Sequence, residues 1–326
     1  MTTTNPGTVV ITGPTGGLGR AAALAMASRP VAERPDLLLV GRAGEALTQV
    51  ADDARTAGAT VRAIGCDLAR LGDVRAAAET AKELLDTGAV RPLRGLVANA
   101  GVMIKDTRSA SADGYELTFA VNYLAHAQLI ADLLGSFAAP ARIVLLGSNT
   151  YHANLGRKMI GVQPAQWRDP IELAQPAPAD TSPSIKAMGV AYSNSKLAIL
   201  YYAHELQRHV GDQVHVLVYE PGFMPGTGLI REASPVMQAL LRAMGHLPGG
   251  TTPARSAPAL AAVVLDDRWA RVCNGAFIVI DKEADVLPHA RDRARETRLW
   301  EATSQLLSQA SAADPAAGST PTRRDG

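Results

Sequence analysis

The stretch Thr8-Val-Val-Ile-Thr-Gly-Pro-Thr-Gly-Gly-Leu-Gly19 decides the fold of this chain. Its first five residues form an apolar, β-rich run, and an alanine-rich helical segment follows Arg20. Gly13, Gly17 and Gly19 allow a tight turn and a close approach to a pyrophosphate, whose charge then meets the N-terminus of the next helix. A glycine-rich strand–helix turn without a ligand is the alternative. Because the turn lies between the first strand and the first helix, the pattern favours dinucleotide binding.

The rest of the chain alternates apolar strand-like runs with helix-like segments. The strand-like runs are Thr8–Thr12, Leu37–Val40, Thr60–Ile64, Gly95–Ala98, Arg142–Leu146, Val214–Tyr219 and Ala276–Ile280. The helix-like segments are 17–29, 43–57, 69–87, 114–136, 190–210 and 253–266. Short, continuously apolar strands are typical of a parallel sheet covered on both faces. Repeated βαβ units therefore predict an α/β protein with a doubly wound parallel sheet, the Rossmann fold.

Length and composition predict one domain. A chain of 326 residues with 47% hydrophobic residues can bury the core of one large α/β domain, and no internal boundary is visible before residue 310. We predict a domain over 1–309, in which the insertion 149–190 and the lid 223–247 form the substrate region. The tail 310–326 is rich in Ala, Pro, Ser, Thr and Gly, which predicts disorder.

Charge and cysteine content argue against several classes of protein. The net charge of +1, without a basic block, argues against nucleic acid as a partner. Cys66 and Cys273 lie far apart, which argues against a disulfide framework and a zinc site. No apolar run approaches the ~18 residues of a membrane span, and the N-terminus lacks the pattern of a signal peptide. We expect no metal, no integral membrane segment and a cytoplasmic location; monomer and homo-oligomer both remain open.

The residues after the second and third strands predict the choice of dinucleotide. The second strand ends in Gly41-Arg42, where an acidic residue would hydrogen-bond the ribose of NAD. A guanidinium there suits the 2′-phosphate of NADP(H), with Arg20 as a second candidate; a solvated surface arginine is the alternative. Asp67-Leu68 follow the third strand, where the carboxylate either meets the adenine amine or caps the next helix.

Polar residues also follow the fourth and fifth strands, at the sheet edge where ligands bind. Asn99-Ala100-Gly101 can line the cofactor, with Asn99 bonding backbone across strands, or can serve turn geometry alone. Gly147-Ser148 places a hydroxyl at the same edge. Asn122 lies mid-helix, where asparagine has low propensity, which indicates another task. His126 is predicted to pack or to face solvent rather than to take part in catalysis.

The segment Tyr192-Ser-Asn-Ser-Lys196 carries the predicted chemistry. Residues four apart share one helix face, so the ammonium lies beside the phenol. An ammonium that close stabilises the phenolate and should lower the tyrosine pKa from its usual value near ~10 toward neutral pH. Such a tyrosine can protonate a developing alkoxide as a general acid. The spacing alone is common, and its weight comes from the other motifs.

Taken together, TGxxxGxG, NAG, Asn122, Ser148 and YxxxK resemble the short-chain dehydrogenase/reductase superfamily over residues 8–310. Three features resemble its retinol dehydrogenase and protochlorophyllide reductase-like branch: the late helix at Arg298-Leu-Trp-Glu301, the segment 226–232 after Pro221-Gly222, and the long gap between Ser148 and Tyr192.

The resemblance implies a catalytic set. Tyr192 would be the acid/base, and Lys196 would lower its pKa and hold the nicotinamide ribose. Ser148 would orient the substrate oxygen, and Asn122 would anchor a water in a proton relay that reaches Lys196. The predicted cofactor-binding residues are Thr12, Gly13, Thr15, Gly16, Gly17, Leu18, Gly19, Arg20, Arg42, Asp67, Leu68, Asn99, Ala100, Gly101, Tyr192, Lys196, Pro221, Gly222 and Thr227.

The chain departs from the family pattern at three places. The usual Thr five positions after the proline of Pro-Gly is Gly226 here, with Thr227 one position later. Gly147 replaces the first serine of a frequent serine pair, which leaves the role to Ser148. The cysteine that protochlorophyllide enzymes carry before the active tyrosine is missing, so photochemistry is not inferred.

The substrate region contains apolar and aromatic residues. The insertion holds Tyr151, His152 and Trp167, of which the first two either line the pocket or pack. The lid holds Phe223, Met224, Met237, Leu240, Leu241 and Met244. It is either a mobile Met/Leu cover that suits a bulky lipophilic carbonyl or an ordinary amphipathic helix that closes the core.

Three functions are compatible with these residues. The first is an NADP(H)-dependent oxidoreductase that interconverts a carbonyl and an alcohol on a lipophilic small molecule. The second keeps the fold and reduces an activated C=C bond. The third is a non-catalytic NADP-binding sensor or partner protein, against which the complete set of Asn122, Ser148, Tyr192 and Lys196 argues.

Overall fold

Eight strands form one sheet in a computed structural model that describes residues 6–152, 163–224, 251–272 and 274–313. The strands are β1 Thr8–Thr12, β2 Asp36–Gly41, β3 Val61–Gly65, β4 Leu93–Ala98, β5 Phe137–Leu146, β6 Val214–Glu220, β7 Ala276–Val279 and β8 Lys282–Ala284. Their order is β3-β2-β1-β4-β5-β6-β7-β8, with parallel pairing from β3 through β7 and antiparallel pairing of β7 with β8. The predicted doubly wound parallel sheet is confirmed.

Helices cover both faces of the sheet. They are α1 Gly17–Ala27, α2 Glu45–Thr56, α3 Leu71–Asp86, α4 Leu117–Phe119, α5 Ala125–Leu133, α6 Pro170–Leu173, α7 Ile185–Val210, α8 Pro253–Leu265 and α9 Arg293–Ala313. Two apolar clusters result, one under α3, α5, α7 and α9 and the other under α1, α2 and α8. Successive strand residues serve opposite clusters, with Val10 in the first and Val9 and Ile11 in the second. The central strand β1 is therefore buried on both sides.

The order of the strands places the candidate site. The chain leaves β1 toward β2 and β3 on one side and returns to β4 on the other. Ligands of such sheets bind at this reversal, outside the carboxyl ends of the strands. Thr12 ends β1, and Ala98, Leu146 and Glu220 end the neighbouring β4, β5 and β6. The predicted site residues after these strands thus share one edge.

The helical segment that follows β4 is more apolar than expected from the sequence. Leu117–Ser136 is long and apolar enough to cross a membrane by length and composition, contrary to the expectation that no run approaches this limit. Its most apolar window is 72% buried within the protein, as in the core helix of a globular domain. Between α4 and α5 the chain forms a π-helical turn over Ala120–Leu124, in which Ala125 N donates to Ala120 O.

The C-terminal part differs from the prediction at its boundary. The helix predicted around Arg298 extends to Ala313, so four residues of the predicted tail are helical. Leu299, Leu306 and Ala310 are buried in the first cluster, and this burial holds the last turns in place. Residues 314–326 lie outside the described part of the chain.

Helix α7 begins at Ile185 rather than 190, with the Ser184 side chain accepting from Ala187 N at its start.

Candidate active site

The glycine-rich turn between β1 and α1 has the geometry of an anion site. Gly13 and Gly17 adopt positive φ values of 63° and 52°. A Cβ on Gly19 would collide with the carbonyl of Gly13 and the amide of Asn99, so only glycine allows this close packing. Helix α1 begins after Gly16, and no side chain of the described residues caps it. The first N–H groups of α1 are therefore available to a phosphate.

Hydrogen bonds of Thr12 and Asn99 connect this turn to the end of β4. Asn99 Nδ2 donates to Thr12 O at 2.8 Å and to Gly13 O at 3.2 Å, which confirms the prediction that Asn99 bonds backbone across strands. The Thr12 hydroxyl oxygen accepts from the backbone N–H groups of Asn99 and Ala100, each at 3.0 Å. The predicted residues 12–19 and 99–101 therefore meet at the switch point of the sheet.

The three side chains predicted to contact the adenosine half have different surroundings. Arg42 is exposed at the end of β2 and has no ion-pair partner among the described residues. Arg20 forms an ion pair with Asp53 on α2, at 2.5 Å. Asp67 accepts from Ala69 N at 3.1 Å in the turn before α3, whose N-cap is Arg70. Of the two arginines, Arg42 is thus the better placed to receive a phosphate.

Asn122 lies inside the π-helical turn and is fully buried. Its Oδ1 accepts from Val102 N at 2.7 Å, and its Nδ2 donates to Val102 O at 3.0 Å. The same Nδ2 donates to the hydroxyl of Ser195, the residue before Lys196, at 3.0 Å. The low helix propensity of this asparagine is thereby explained. Its direct contact on α7 is Ser195, whereas the resemblance implied a relay through water to Lys196.

His126, predicted to pack or to face solvent, is buried, and its ring joins two parts of the site. Its Nε2 lies 2.9 Å from the Thr12 hydroxyl, and its Nδ1 lies 3.0 Å from Asn122 O. Because a carbonyl can only accept, Nδ1 carries the proton and Nε2 accepts from Thr12. Burial lowers the pKa of His126 to about 4, so the ring is neutral near neutral pH. The His126 ring therefore links the glycine-rich turn to the π-helical turn that contains Asn122.

Ser148 follows β5 and is 8% exposed. Its Oγ accepts weakly from Thr150 N, at 3.4 Å, at the start of a short 3-10 turn. A Cβ on Gly147 would collide with the side chain of Val218 and lie 3.2 Å from Phe277. The space that the first serine of the pair would need is therefore occupied by the Val218 side chain on β6.

Tyr192 and Lys196 face the same sheet edge from α7. They are 8% and 4% exposed, and Lys196 Nζ lies 5.4 Å from the centroid of the Tyr192 ring. The ammonium donates to Leu146 O at 2.7 Å, two residues before Ser148. Burial lowers the pKa of Lys196 to about 8, against the opposing charge of Glu220. The lysine therefore remains mostly protonated at neutral pH.

Pro221-Gly222 follow β6 and are held by α8. Pro221 O accepts from the hydroxyl of Ser256 at 2.8 Å, and Gly222 has a φ of 84°. Thr227 lies outside the described residues, as does the lid apart from residues 223 and 224. Met224 is partly buried against the cluster under α1, α2 and α8. The predicted contacts of Met237, Leu240, Leu241 and Met244 lie outside the described residues too.

Several residues at the site were not predicted. Met103 and Met188 form a small apolar cluster with Tyr192. Met103 lies shortly after the NAG turn, and Met188 lies on α7, four positions before Tyr192. Glu220, directly before Pro221, is 2% exposed. Its position, a carboxylate at a strand end before Pro-Gly, was a usable signal. The two methionines carry no such signal, because only the folded chain brings them together.

The insertion packs in its described parts. Tyr151 is 3% exposed, and its ring lies 5.0 Å from that of His152 and 5.6 Å from that of His289. Trp167 packs edge-on against Tyr201 at 4.8 Å. Residues 153–162 lie outside the described part of the chain. Over the described ranges, no group of three or more His, Cys, Asp or Glu side chains could hold a metal ion.

A glycine-rich turn at the switch point, with a Tyr–Lys pair beside it, defines a Rossmann-fold oxidoreductase. The short chain dehydrogenase family model matches residues 7–157. Polyprenol dehydrogenase of Mus musculus is 30% identical over 315 residues, which cover 90% of this chain and 82% of that protein. The chain belongs to the short-chain dehydrogenase/reductase family, which uses nicotinamide cofactors.

Two further relatives place the chain in one branch of this family. Retinol dehydrogenase 12 of Bos taurus is 29% identical, over 92% of this chain and 85% of that protein. Protochlorophyllide reductase A of Oryza sativa subsp. japonica is 28% identical, over 94% of this chain and 81% of that protein. The predicted membership in the retinol dehydrogenase and protochlorophyllide reductase-like branch is confirmed.

Solved structures agree with the fold. The angucycline C-6 ketoreductase LanV with bound NADP superposes with a TM-score of 0.62, covers 84% of this chain and 93% of its own, and is 21% identical. At this identity the likeness concerns the architecture: a largely parallel sheet between two layers of helices.

Proposed function

We propose that this protein is an NADP(H)-dependent reductase, or the reverse dehydrogenase, that interconverts a carbonyl and an alcohol on a lipophilic small molecule. The observation that carries the proposal is the Tyr192–Lys196 pair, with the ammonium held by Leu146 O two residues before Ser148. Tyr192 is the acid/base, Lys196 and Ser148 act beside it, and Asn122 holds the helix that carries Ser195 and Lys196.

The described residues fit a nicotinamide dinucleotide. The N-terminus of α1 can take the pyrophosphate, and the glycine-rich turn brings the backbone close to it. Arg42, exposed and without an ion-pair partner in the described ranges, can take the 2′-phosphate of NADP, whereas Arg20 is engaged by Asp53. LanV, which shares the fold, carries NADP in its solved structure. These features support NADP over NAD.

The chain's residues supply the proton and orient the substrate. The bound cofactor supplies the hydride to the carbonyl carbon. Tyr192 gives its phenolic proton to the carbonyl oxygen, so that hydride and proton together yield the alcohol; in the reverse direction the phenolate takes the alcohol proton. Lys196 stabilises the phenolate that remains, and the Ser148 hydroxyl donates to the same substrate oxygen. Asp67-Leu68, Ala100-Gly101 and Pro221-Gly222 line the cofactor side.

The substrate wall next to Tyr192 is apolar. Met103 and Met188 pack with Tyr192 in one apolar cluster. Methionine adapts to irregular apolar shapes, which suits a bulky lipophilic substrate. The related polyprenol and retinol dehydrogenases are named for lipophilic alcohols. These relatives support the substrate class.

A substrate panel tests the proposal. The purified full chain is mixed with NADPH and a broad set of lipophilic aldehydes and ketones, and the loss of NADPH absorbance is followed. Consumption that needs a carbonyl and disappears in Tyr192→Phe supports the proposal. Tight NADPH binding with no turnover on any compound would instead indicate the sensor function.

The likeness to protochlorophyllide reductase A favours one second candidate, reduction of an activated C=C bond. The two reactions place the hydride on different atoms. With deuterium at the transferable position of NADPH and an enone as substrate, a label on the carbinol carbon indicates carbonyl reduction. A label on the former alkene carbon, with the carbonyl retained, indicates the second candidate.

A further inference from the structure

Glu220 is a buried carboxylate that the proposed chemistry does not use. It ends β6 at the carboxyl edge of the sheet, and it is 2% exposed. Its Oε2 accepts from Asn149 N at 2.7 Å. Asn149 directly follows Ser148, so this bond runs from β6 to the turn that carries the serine. A carboxylate–amide bond of this kind is stronger than a neutral one and suits a fixed turn.

Glu220 also lies within electrostatic reach of Lys196. The backbone places the two elements together: Lys196 Nζ donates to Leu146 O, and Leu146 is the β5 partner of Tyr219, the residue before Glu220. The charge of Glu220 raises the pKa of Lys196, against the larger lowering effect of burial. Among the described residues, its charge also adds to the effect of burial in raising the pKa of two neighbouring phenols, Tyr151 beside the serine turn and Tyr219 on its own strand.

We propose that Glu220 is a positioning residue that serves both ends of the catalytic set. One carboxylate holds the Ser148 turn through Asn149 N and supplies the negative charge that keeps Lys196 protonated in a buried site. The inference deepens the proposed function and rests on it for the roles of Ser148 and Lys196. Glu220 acts through these two residues, with no contact to substrate required.

The two tasks can be separated by substitution. Glu220→Gln keeps an oxygen that accepts from Asn149 N but removes the charge. Glu220→Leu removes both. Glu283→Gln, an exposed glutamate on the nearby β8, makes the same chemical change away from the site and serves as the control.

The first measurement follows the ionisation of Lys196 directly. The full chain is labelled at the lysine Cε with ¹³C, the Lys196 signal is assigned with Lys196→Arg, and the shift is titrated against pH without cofactor. We expect a midpoint near the pKa of about 8 in the wild type and in Glu283→Gln, and a lower midpoint in Glu220→Gln, because the charge that raises the pKa of Lys196 is removed. An unchanged midpoint in Glu220→Gln overturns the charge half of the proposal. This result does not depend on any substrate, so it stays separate from the success of the proposed function.

The second measurement is the pH profile of turnover on a substrate from the panel. Glu220→Gln should move the alkaline limb to lower pH by the same amount and keep kcat within about threefold at low pH, since the bond to Asn149 survives. Glu220→Leu should lose roughly 10²-fold in kcat across the profile, because a misplaced serine costs that much. If both variants only lower the Tm and keep the wild-type profile and kcat, Glu220 is structural and the proposal is wrong. If Glu220→Leu does not fold, the Glu220→Gln profile and titration decide alone.

Discussion

Lys196 donates from its Nζ to the carbonyl oxygen of Leu146 across 2.7 Å, and both residues are buried. This bond joins α7, which carries Tyr192, to the end of β5, which leads into Ser148. A long lysine side chain is usually free to choose among rotamers, and here its end is fixed by the sheet. The hydrogen bond to Leu146 O therefore fixes the position of the Lys196 ammonium, and it keeps Tyr192 and Ser148 in a constant position relative to each other.

The first prediction concerns the choice of cofactor. Arg42→Ala should cost about 1.5–3 kcal/mol of NADPH binding and leave NADH binding nearly unchanged, because the interaction removed is a charge-assisted bond to the 2′-phosphate. Dissociation constants for both cofactors, measured by calorimetry, check this. Arg62→Ala, an exposed arginine on β3, is the matched control. Equal affinity of the wild type for NADPH and NADH would contradict the prediction.

The second prediction concerns the acid. Tyr192→Phe keeps the ring and removes the proton, so it should bind NADPH normally and lose roughly 10²–10⁴-fold in kcat. Lys196→Ala should weaken both binding and turnover, since its ammonium has two tasks. Tyr202→Phe makes the same change on the same helix, where the ring stacks on Trp300, and should stay near wild type. Near-normal rates in Tyr192→Phe would mean that another group donates the proton.

The third prediction concerns Asn122. Asn122→Ala leaves Val102 N–H and C=O without their partner, and each unpaired buried group costs about 1–3 kcal/mol of unfolding free energy. Turnover should fall as well, since Ser195 loses its bond to the π-helical turn. Denaturant unfolding and kcat at one temperature check both effects. Asn194→Ala removes a single bond, to Gln166 N, and should cost less. An Asn122 variant as stable and as active as that control would refute the assignment.

The fourth prediction concerns acid stability. The pKa of His126 is lowered by burial from 6.5 to about 4, so between these values the unfolded chain binds a proton that the folded chain does not. The unfolding free energy should therefore fall as pH drops from 6.5 to 4, by about 3 kcal/mol from this residue alone. Unfolding measured across this window should be less acid-sensitive in His126→Gln than in the wild type. His215→Gln, on β6, controls for the substitution; equal pH slopes in all three proteins would count against the prediction.

The fifth prediction concerns the substrate wall. Met188→Ala enlarges the space beside Tyr192, so KM should rise more for bulky lipophilic substrates than for small ones, by about 0.8 kcal/mol for each substrate methylene that is no longer buried. KM values over a homologous series of substrates check this. Ile185→Ala, at the exposed start of the same helix, is the control. A lower Tm with unchanged substrate preference would show that Met188 belongs only to the core.

The sequence predicted the sheet because strands buried on both faces leave continuous apolar runs, such as Leu37–Val40. It could not predict β8, whose three residues Lys282–Ala284 are mostly polar and lie at an edge. The π-helical turn also has no pattern of its own. Ala120–Leu124 has the composition of an ordinary helix, and Asn122 was its one visible sign.

Within the site, sequence motifs predicted the residues whose type is required by the chemistry. They did not predict the contacts that arise only when separate helices and strands pack together. Tyr192, Lys196 and Ser148 follow fixed spacings and strand ends. The ion pair of Arg20 with Asp53 depends on how α1 and α2 lie together, which no local pattern contains. Similarly, His126 was predicted to pack or to face solvent, and the sequence did not indicate that its ring bridges Thr12 and Asn122, which lie more than a hundred residues apart along the chain.

The place of β5 in the sheet bears on how this fold can be divided. β5 pairs with β4 on one side and with β6 on the other, so the nucleotide half and the catalytic half share one backbone ladder. A fragment cut after residue 157, where the family model ends, would leave the inner edge of an apolar strand unpaired. Such an edge is a template for intermolecular β-pairing. The two halves are therefore inseparable as folding units, and an exchange of halves between relatives would have to supply a β6 that covers the edge of β5 in the same register.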